Sequence, residues 1–206
     1  MRKLIVAAFV SLDGVMQAPG GPEEDISGDF HFGGWTAPYW DDASAQAIRD
    51  LFSQPFELVL GRHTYDIFAS YWPRVPPESK NFVADKFNKV CKHVATHRPG
   101  TLDWQNSRAL EGGIADAIRA LKQKDGANLL TQGSGEVVRQ LLAAGLVDEL
   151  RLIILPVVLG HGKRLFGEDA QASAFTLAHS STTDKGVLIT RFERSGEVRT
   201  GTIGEG

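Results

Sequence analysis

An α/β fold is what this sequence predicts, a mixed but mostly parallel sheet covered by helices on both faces in three layers. Three observations carry it. Apolar runs of strand length alternate with stretches whose apolar residues recur at helical spacing. Three of those runs close on polar turns bearing glycine or arginine: Gly61-Arg62-His63-Thr64, Thr96-His97-Arg98-Pro99-Gly100 and Gly133-Ser134-Gly135. The last two apolar runs instead flank Thr183-Asp184-Lys185-Gly186, whose aspartate and glycine favour the tight turn of an antiparallel hairpin. About eight strands follow, ending in that hairpin.

The elements justify themselves in order. Leu4 to Val10 is nearly all apolar, as a central strand buried on both faces should be, and it ends at Ser11-Leu12-Asp13-Gly14. Val15 to Pro38 is rich in glycine and proline, with Phe30, Phe32 and Trp35 interspersed; long loops in compact domains are mostly lids or binding loops. Asp41 and Asp42 cap or charge a helix whose apolar face uses Ala45, Ile48, Leu51 and Phe52, and Pro55 ends it. Phe56 to Leu60 is a second buried strand, followed by a helical stretch to Ala69. After a proline-rich loop, Lys80 to Lys89 reads as a helix and Val90 to Ala95 as a third strand. Trp104 to Asn106 reads as a short strand and Gly113 to Lys122 as a helix.

Asn128 to Phe166 is the organising stretch. A strand meets Gly133-Ser134-Gly135, a helix follows with Val137, Val138, Leu141, Leu142 and Leu146 on one face, and the alternation of Leu150, Leu152 and Ile154 makes another strand. That is a parallel βαβ unit. Glycines without Cβ let a ligand approach the backbone, and the first amides of the next helix carry its partial positive charge, so the turn suits a phosphate as well as serving any βα connection. In such sheets ligands bind beyond the carboxyl ends of the strands, where all three turns and Ser11-Leu12-Asp13-Gly14 lie. Phe175 to Ser181 and Gly186 to Glu193 form the hairpin. One domain over residues 1–195 and a tail over 196–206 are expected.

Composition narrows the function classes. The chain has 206 residues, 42% hydrophobic and 23% charged, enough apolar surface for one sizeable core. A net charge of −3 with scattered cations argues against a nucleic-acid partner. The lone Cys91 cannot form an internal disulfide and reads as a small core residue in a reducing cytoplasm. The start, MRKLIVAAFV, has the charges of a signal peptide but no cleavage site, and no other run is long enough to span a bilayer. The one i, i+4 pair among the six histidines, His93 and His97, falls on a strand and the turn after it rather than on a helix face, and no histidine joins a cysteine in a metal motif, so no metal is expected.

Three segments, LGRHTYDIF (Leu60 to Phe68), VATHRPGT (Val94 to Thr101) and LLTQGSGEVVRQLL (Leu129 to Leu142), resemble the cofactor-binding segments of the dihydrofolate reductase fold in order and spacing. GLVDELRLIILPVVLGHGKRLF (Gly145 to Phe166) is closer to the reductase domain of riboflavin biosynthesis, the RibD C-terminal domain, which shares that fold. The resemblance implies NADPH as cofactor. Gly61, Arg62, His63 and Thr64 match a turn that holds its phosphates, and Thr96, His97 and Arg98 the turn around its 2′-phosphate. Gly133, Ser134, Gly135 and Glu136 match the pyrophosphate turn, although a carboxylate at Glu136 repels phosphate unless it points outward. Arginine suits the 2′-phosphate because its planar donors pair bidentately with phosphate oxygens.

At the substrate end the candidates for proton transfer are Asp13, Asp41 and Asp42, each of which also reads as an ordinary turn or helix-start acid. Ser11, Trp35 and Lys163 are the candidates for holding substrate. The resemblance implies an NADPH-dependent reductase of a pyrimidine- or pteridine-like molecule, with hydride passing to a C=N or C=O carbon. Dihydrofolate reductase activity and a nucleotide-binding protein without catalysis are the alternatives. A homodimer is implied as well, with the apolar Leu152 to Leu159 run as its contact.

Overall fold

The computed structural model describes residues 1–167 and 170–204. Eight strands form one sheet: β1 (Leu4–Ser11), β2 (Phe56–Gly61), β3 (Lys92–Ala95), β4 (Ser107–Ala109), β5 (Asn128–Gln132), β6 (Glu149–Leu155), β7 (Ala174–Thr182) and β8 (Leu188–Gly196). Their order is β4-β3-β2-β5-β1-β6-β8-β7, parallel from β4 to β6, with β8 antiparallel to both β6 and β7. The helices are α1 (Asp42–Ser53), α2 (Arg62–Tyr71), α3 (Phe82–Lys89), α4 (Ile114–Gln123) and α5 (Gly135–Ala143).

Two cores follow from strand alternation. Ile5 and Ala7 of β1 and Leu58 and Leu60 of β2 face α1, α2 and α3, where Phe52, Tyr65 and Phe87 are almost wholly buried. Leu4, Val6, Ala8 and Val10 face the other way, against Ile118 of α4 and Val137, Val138 and Leu141 of α5. The result is the expected three-layer arrangement with its terminal hairpin. Gly186 turns the hairpin at φ 77°, donating its N–H to the Thr183 carbonyl at 2.9 Å.

Some expectations need correcting. The short strand near Trp104 begins three residues later, at Ser107. Trp104 is held elsewhere: its backbone N–H donates to the Tyr65 hydroxyl at 2.9 Å, its indole N–H to Asn88 at 2.8 Å, and the ladder resumes only after Asn106 turns at φ 61°. The Leu152 to Leu159 run is no free edge either, because β6 lies between β1 and β8 and buries Leu152, Ile153 and Leu155. The 15–38 loop packs Phe30 and Trp35 into the first core, and Trp35 donates its indole N–H to the Gln17 carbonyl at 2.8 Å. Among the described residues no helix is long and apolar enough to cross a membrane.

Candidate active site

The carboxyl ends of β1, β2, β3 and β5 open into a cleft of about 780 Å³, within the usual range of small-molecule sites of roughly 300–1,000 Å³. All three turns singled out in the sequence meet there: Gly61, Arg62, His63 and Thr64; Thr96, His97 and Arg98; and Gly133, Ser134, Gly135 and Glu136 line its wall. Ser134 ties two of them together, accepting the Gly61 N–H on its hydroxyl at 2.9 Å. Gly133 and Ser134 are both left-handed, at φ 78° and 62°, which turns the chain so that α5 starts at the cleft. The first amides of α2 and α5 are therefore at the wall, where an anion is favoured. Glu136 folds back along its own helix to Arg139 and Gln140; those partners hold its carboxyl below the usual range.

The two arginines differ. Arg62 holds both carboxylate oxygens of Asp66, at 2.8 and 2.9 Å, and reaches the Thr101 hydroxyl at 2.6 Å and the Arg98 carbonyl at 3.2 Å. Its donors thus bind the β3 turn to α2. Arg98 is 66% exposed, with one long ion pair among the described residues, to Asp66 at 3.9 Å, which leaves its guanidinium fork available to a ligand. His97 lies beside it in the wall.

Part of the wall was not legible in the sequence. The 15–38 loop contributes Met16, Gln17, Ala18, Pro19, Glu24 and Asp25. Gln17 is the hub of that loop: its side chain donates to the carbonyls of Asp25 and Ser27, at 3.0 and 2.8 Å, and accepts the Lys163 N–H at 3.0 Å. Asp25, 8% exposed at the side chain, receives Lys163 Nζ at 2.7 Å and His63 Nε2 at 3.1 Å. Burial alone would raise its pKa, but Lys163 and Ser27 outweigh that and bring it to about 2. Burial does raise Glu24, against the Gly20 and Gly21 amides. Gly162 brings the Lys163 segment close enough: a Cβ there would stand 2.7 Å from Val15 and 2.8 Å from Phe30, at a φ of 127°.

The predicted substrate residues are divided. Lys163 lines the cleft; Ser11, Asp13, Trp35, Asp41 and Asp42 line neither this cleft nor the adjoining one. Asp13 accepts the Ser11 hydroxyl at 2.6 Å and the backbone N–H groups of Leu159 at 3.1 Å and Gly160 at 2.8 Å, which together lower its pKa to about 2. Ser11 is buried and also accepts the Val15 N–H. Asp41 is the N-cap of α1, accepting the Ser44 N–H at 2.8 Å, and Asp42 opens the helix.

A second cleft, of about 490 Å³, runs between α1 and the face of β6, β7 and β8. It shares Ala8, Phe9 and Gln132 with the first, so the two clefts meet at the ends of β1 and β5. Among the described residues, the Gln132 side-chain oxygen at that junction is buried without a hydrogen-bond partner, as is Arg191 Nε in the second cleft. A buried acceptor left unpaired costs about 1–3 kcal/mol, which a ligand N–H would recover.

A family model, the RibD C-terminal domain, matches residues 2–189. Among curated relatives, the uncharacterized protein YyaP of Bacillus subtilis (strain 168) is 25% identical over 188 residues, 91% of this chain and 92% of that one. YwjB from the same organism is 27% identical over 167 residues, covering 81% and 84% of the two chains. Among solved structures, a putative riboflavin biosynthesis protein from Shewanella sp. PV-4 superposes with a TM-score of 0.64 at 22% identity, over 94% of this chain and 99% of that one. A pyrimidine reductase-like protein from Corynebacterium diphtheriae NCTC gives 0.60 at 18% identity, over 97% and 93%. The fold is therefore that of dihydrofolate reductase-like proteins, and this chain belongs to the RibD C-terminal domain family.

Proposed function

We propose that the protein is an NADPH-dependent reductase of a pyrimidine- or pteridine-like heterocycle, related in chemistry to the phosphoribosylaminouracil reductase of riboflavin biosynthesis. Membership of the RibD C-terminal domain family supports an oxidoreductase, and the name of the Corynebacterium structure points to a pyrimidine. The observation that carries the reading is the junction of two clefts at Ala8, Phe9 and Gln132. One cleft has the glycine turns, helix N-termini and cationic side chains that suit a dinucleotide; the other is lined by Phe9, Ile153 and Ile189 with a few polar groups, as suits a flat heterocycle.

NADPH, when bound, supplies the hydride. The residues do the rest. The α2 and α5 amides and Arg98 hold phosphates, with Arg62 positioning the Arg98 turn. The junction sets the reacting faces together, and the Gln132 oxygen, unpartnered among the described residues, accepts an N–H there and fixes orientation. Glu24, whose carboxyl burial raises, is the acid in the wall best suited to hold a proton near the first cleft. The expected homodimer would pair through β7, the exposed outer strand, where Leu177 is 50% exposed.

Oxidation of NADPH with a panel of ribosylated aminopyrimidines, dihydropterins and dihydrofolate tests this. Turnover of a pyrimidine or pteridine is expected, reduced about tenfold or more by Gln132→Leu, because the lost acceptor contributes about 1–3 kcal/mol. NADPH binding without turnover of any such compound would leave a nucleotide-binding protein and overturn the reductase reading.

A further inference from the structure

Away from the clefts, at the opposite end of β2 and β3, three potential metal ligands converge. Glu57 is the second residue of β2, Cys91 immediately precedes β3 and His93 lies within it. Parallel pairing of Leu58 with Lys92 and Val59 with His93 places Glu57 beside Cys91 and sends the three side chains to the same face. Glu57 lies four residues before Gly61 at the cleft, roughly 13 Å along the strand. Cys91 Sγ is 3.7 Å from His93 Nε2, and that nitrogen is 2.7 Å from Glu57 Oε2; the three ligand atoms all lie within 4.8 Å of one another. Both neighbours converge on the same imidazole nitrogen. In a nucleophilic relay the thiol and the acid would instead take opposite nitrogens.

We propose that Glu57, Cys91 and His93 form a binding site for a thiophilic divalent cation of the zinc class. A tetrahedral ion with bonds of about 2.3 Å to sulfur and about 2.0–2.1 Å to nitrogen separates those atoms by about 3.6 Å, close to the 3.7 Å present. The same geometry asks for about 3.3 Å between nitrogen and carboxylate oxygen, so Glu57 must draw back from the 2.7 Å contact. Its side chain, 26% exposed, has room to do so, whereas His93 at 5% is fixed by the sheet. A water completes the fourth position.

Charge decides which ion fits. Arg2 holds Glu57 Oε2 at 2.6 Å, and Arg108, paired in register with His93, lies against Cys91. Two guanidiniums repel a bare cation. A metal that displaces the thiol proton to solvent and bonds the resulting thiolate is compensated, since thiolate and carboxylate together cancel its two charges. Calcium and magnesium, which prefer oxygen ligands, gain nothing from sulfur. Arg2 also donates to the Ala127 carbonyl, so it keeps a partner when Glu57 turns toward the ion. The expectation that no histidine joins the cysteine overlooked the Cys-Lys-His run that enters β3, and the third ligand, a single glutamate, lies in the neighbouring strand.

Cobalt(II) titration of the untagged full-length chain, kept reduced with a phosphine, tests the site. One equivalent is expected to give a thiolate-to-cobalt charge-transfer band in the near ultraviolet, displaced by zinc, and to raise the thermal unfolding midpoint. Cys91→Ser should lose the band and the midpoint shift, and His93→Gln and Glu57→Gln should each weaken binding about tenfold or more. Unfolding curves without metal check that each variant folds. Absence of the band at saturating cobalt overturns the site, and so does a band whose affinity is unchanged in both His93→Gln and Glu57→Gln, which would mean the cysteine binds alone.

Discussion

Two carboxylates a dozen residues apart, Asp13 and Asp25, both have a pKa of about 2 and reach it by different means. Asp13 is held at short range by neutral donors, the Ser11 hydroxyl and two backbone amides of the 159–160 segment, with the Arg164 guanidinium farther off at 3.5 Å, and so seals the turn after β1 to the loop after β6. Asp25 is held by the Lys163 ammonium and the Ser27 hydroxyl, with the His63 ring at 3.1 Å, and stands in the cleft wall. The first turn is a joint and the second region is a cleft surface. The comparison shows that a carboxylate at the end of a central strand is drawn into closing the backbone when two amides face it, while the acid in the cleft wall comes from a loop with no periodic pattern.

The largest expected effect breaks the surface itself. Gly133→Val forces a β-branched side chain into φ 78°, a strain of about 1–3 kcal/mol that displaces the α5 amides. NADPH affinity, measured by fluorescence titration, should fall about 100-fold or more while the far-ultraviolet spectrum stays that of a folded protein. Unchanged affinity would make the turn purely structural.

Asp25→Asn separates the two carboxylates next. Removing a negative charge would by itself favour a phosphate, but Lys163 at 2.7 Å already neutralises Asp25, so loss of orientation in Lys163 and His63 dominates. NADPH binding should weaken about tenfold, since charge-assisted hydrogen bonds contribute about 1.5–3 kcal/mol. Asp13→Asn should leave that affinity, and turnover per folded molecule, within about twofold. It should instead cost about 1–3 kcal/mol in denaturant unfolding, because an amide cannot accept all three donors. Equal effects of the two variants on cofactor binding would erase the distinction between joint and surface.

Acid sharpens the same contrast. Both groups have a folded pKa of about 2, below the ordinary 3.8, so between these values the unfolded chain binds more protons and stability rises with pH. Their stabilisation is complete above about pH 4 and disappears as pH falls toward 2. Melting temperatures across that window should show a shallower slope in Asp13→Asn than in the parent chain.

How much was legible follows from the same physics. Strand and helix periodicity located the sheet, the hairpin turn at Gly186 and the three glycine- or arginine-bearing turns of the cleft wall, because each of those turns closes a parallel strand at its carboxyl end. The short β4 was displaced because Trp104 looked like a strand residue yet is held by Tyr65 and Asn88, partners distant in sequence. Arg62 and Arg98 looked equivalent as letters, and only the fold shows that Asp66, one helical turn after Arg62, occupies the first. Gln17, Asp25 and Gln132 were missed because polar residues in a loop or at a strand end carry no period; the meaning of Gln17 lies in contacts 8 to 146 residues away, and that of Gln132 in its place where the two clefts meet.

The most direct test of the account compares NADPH with NADH on the same chain. Arg98, exposed in the wall beside His97, is the group available to the extra phosphate, and such a contact contributes about 1.5–3 kcal/mol, roughly tenfold to a hundredfold in affinity. Fluorescence titration should show NADPH binding tighter by about that factor, with Arg98→Ala removing the preference and leaving NADH binding unchanged. Equal affinities in the parent chain, or a preference that survives Arg98→Ala intact, would contradict the assignment of this cleft to NADPH.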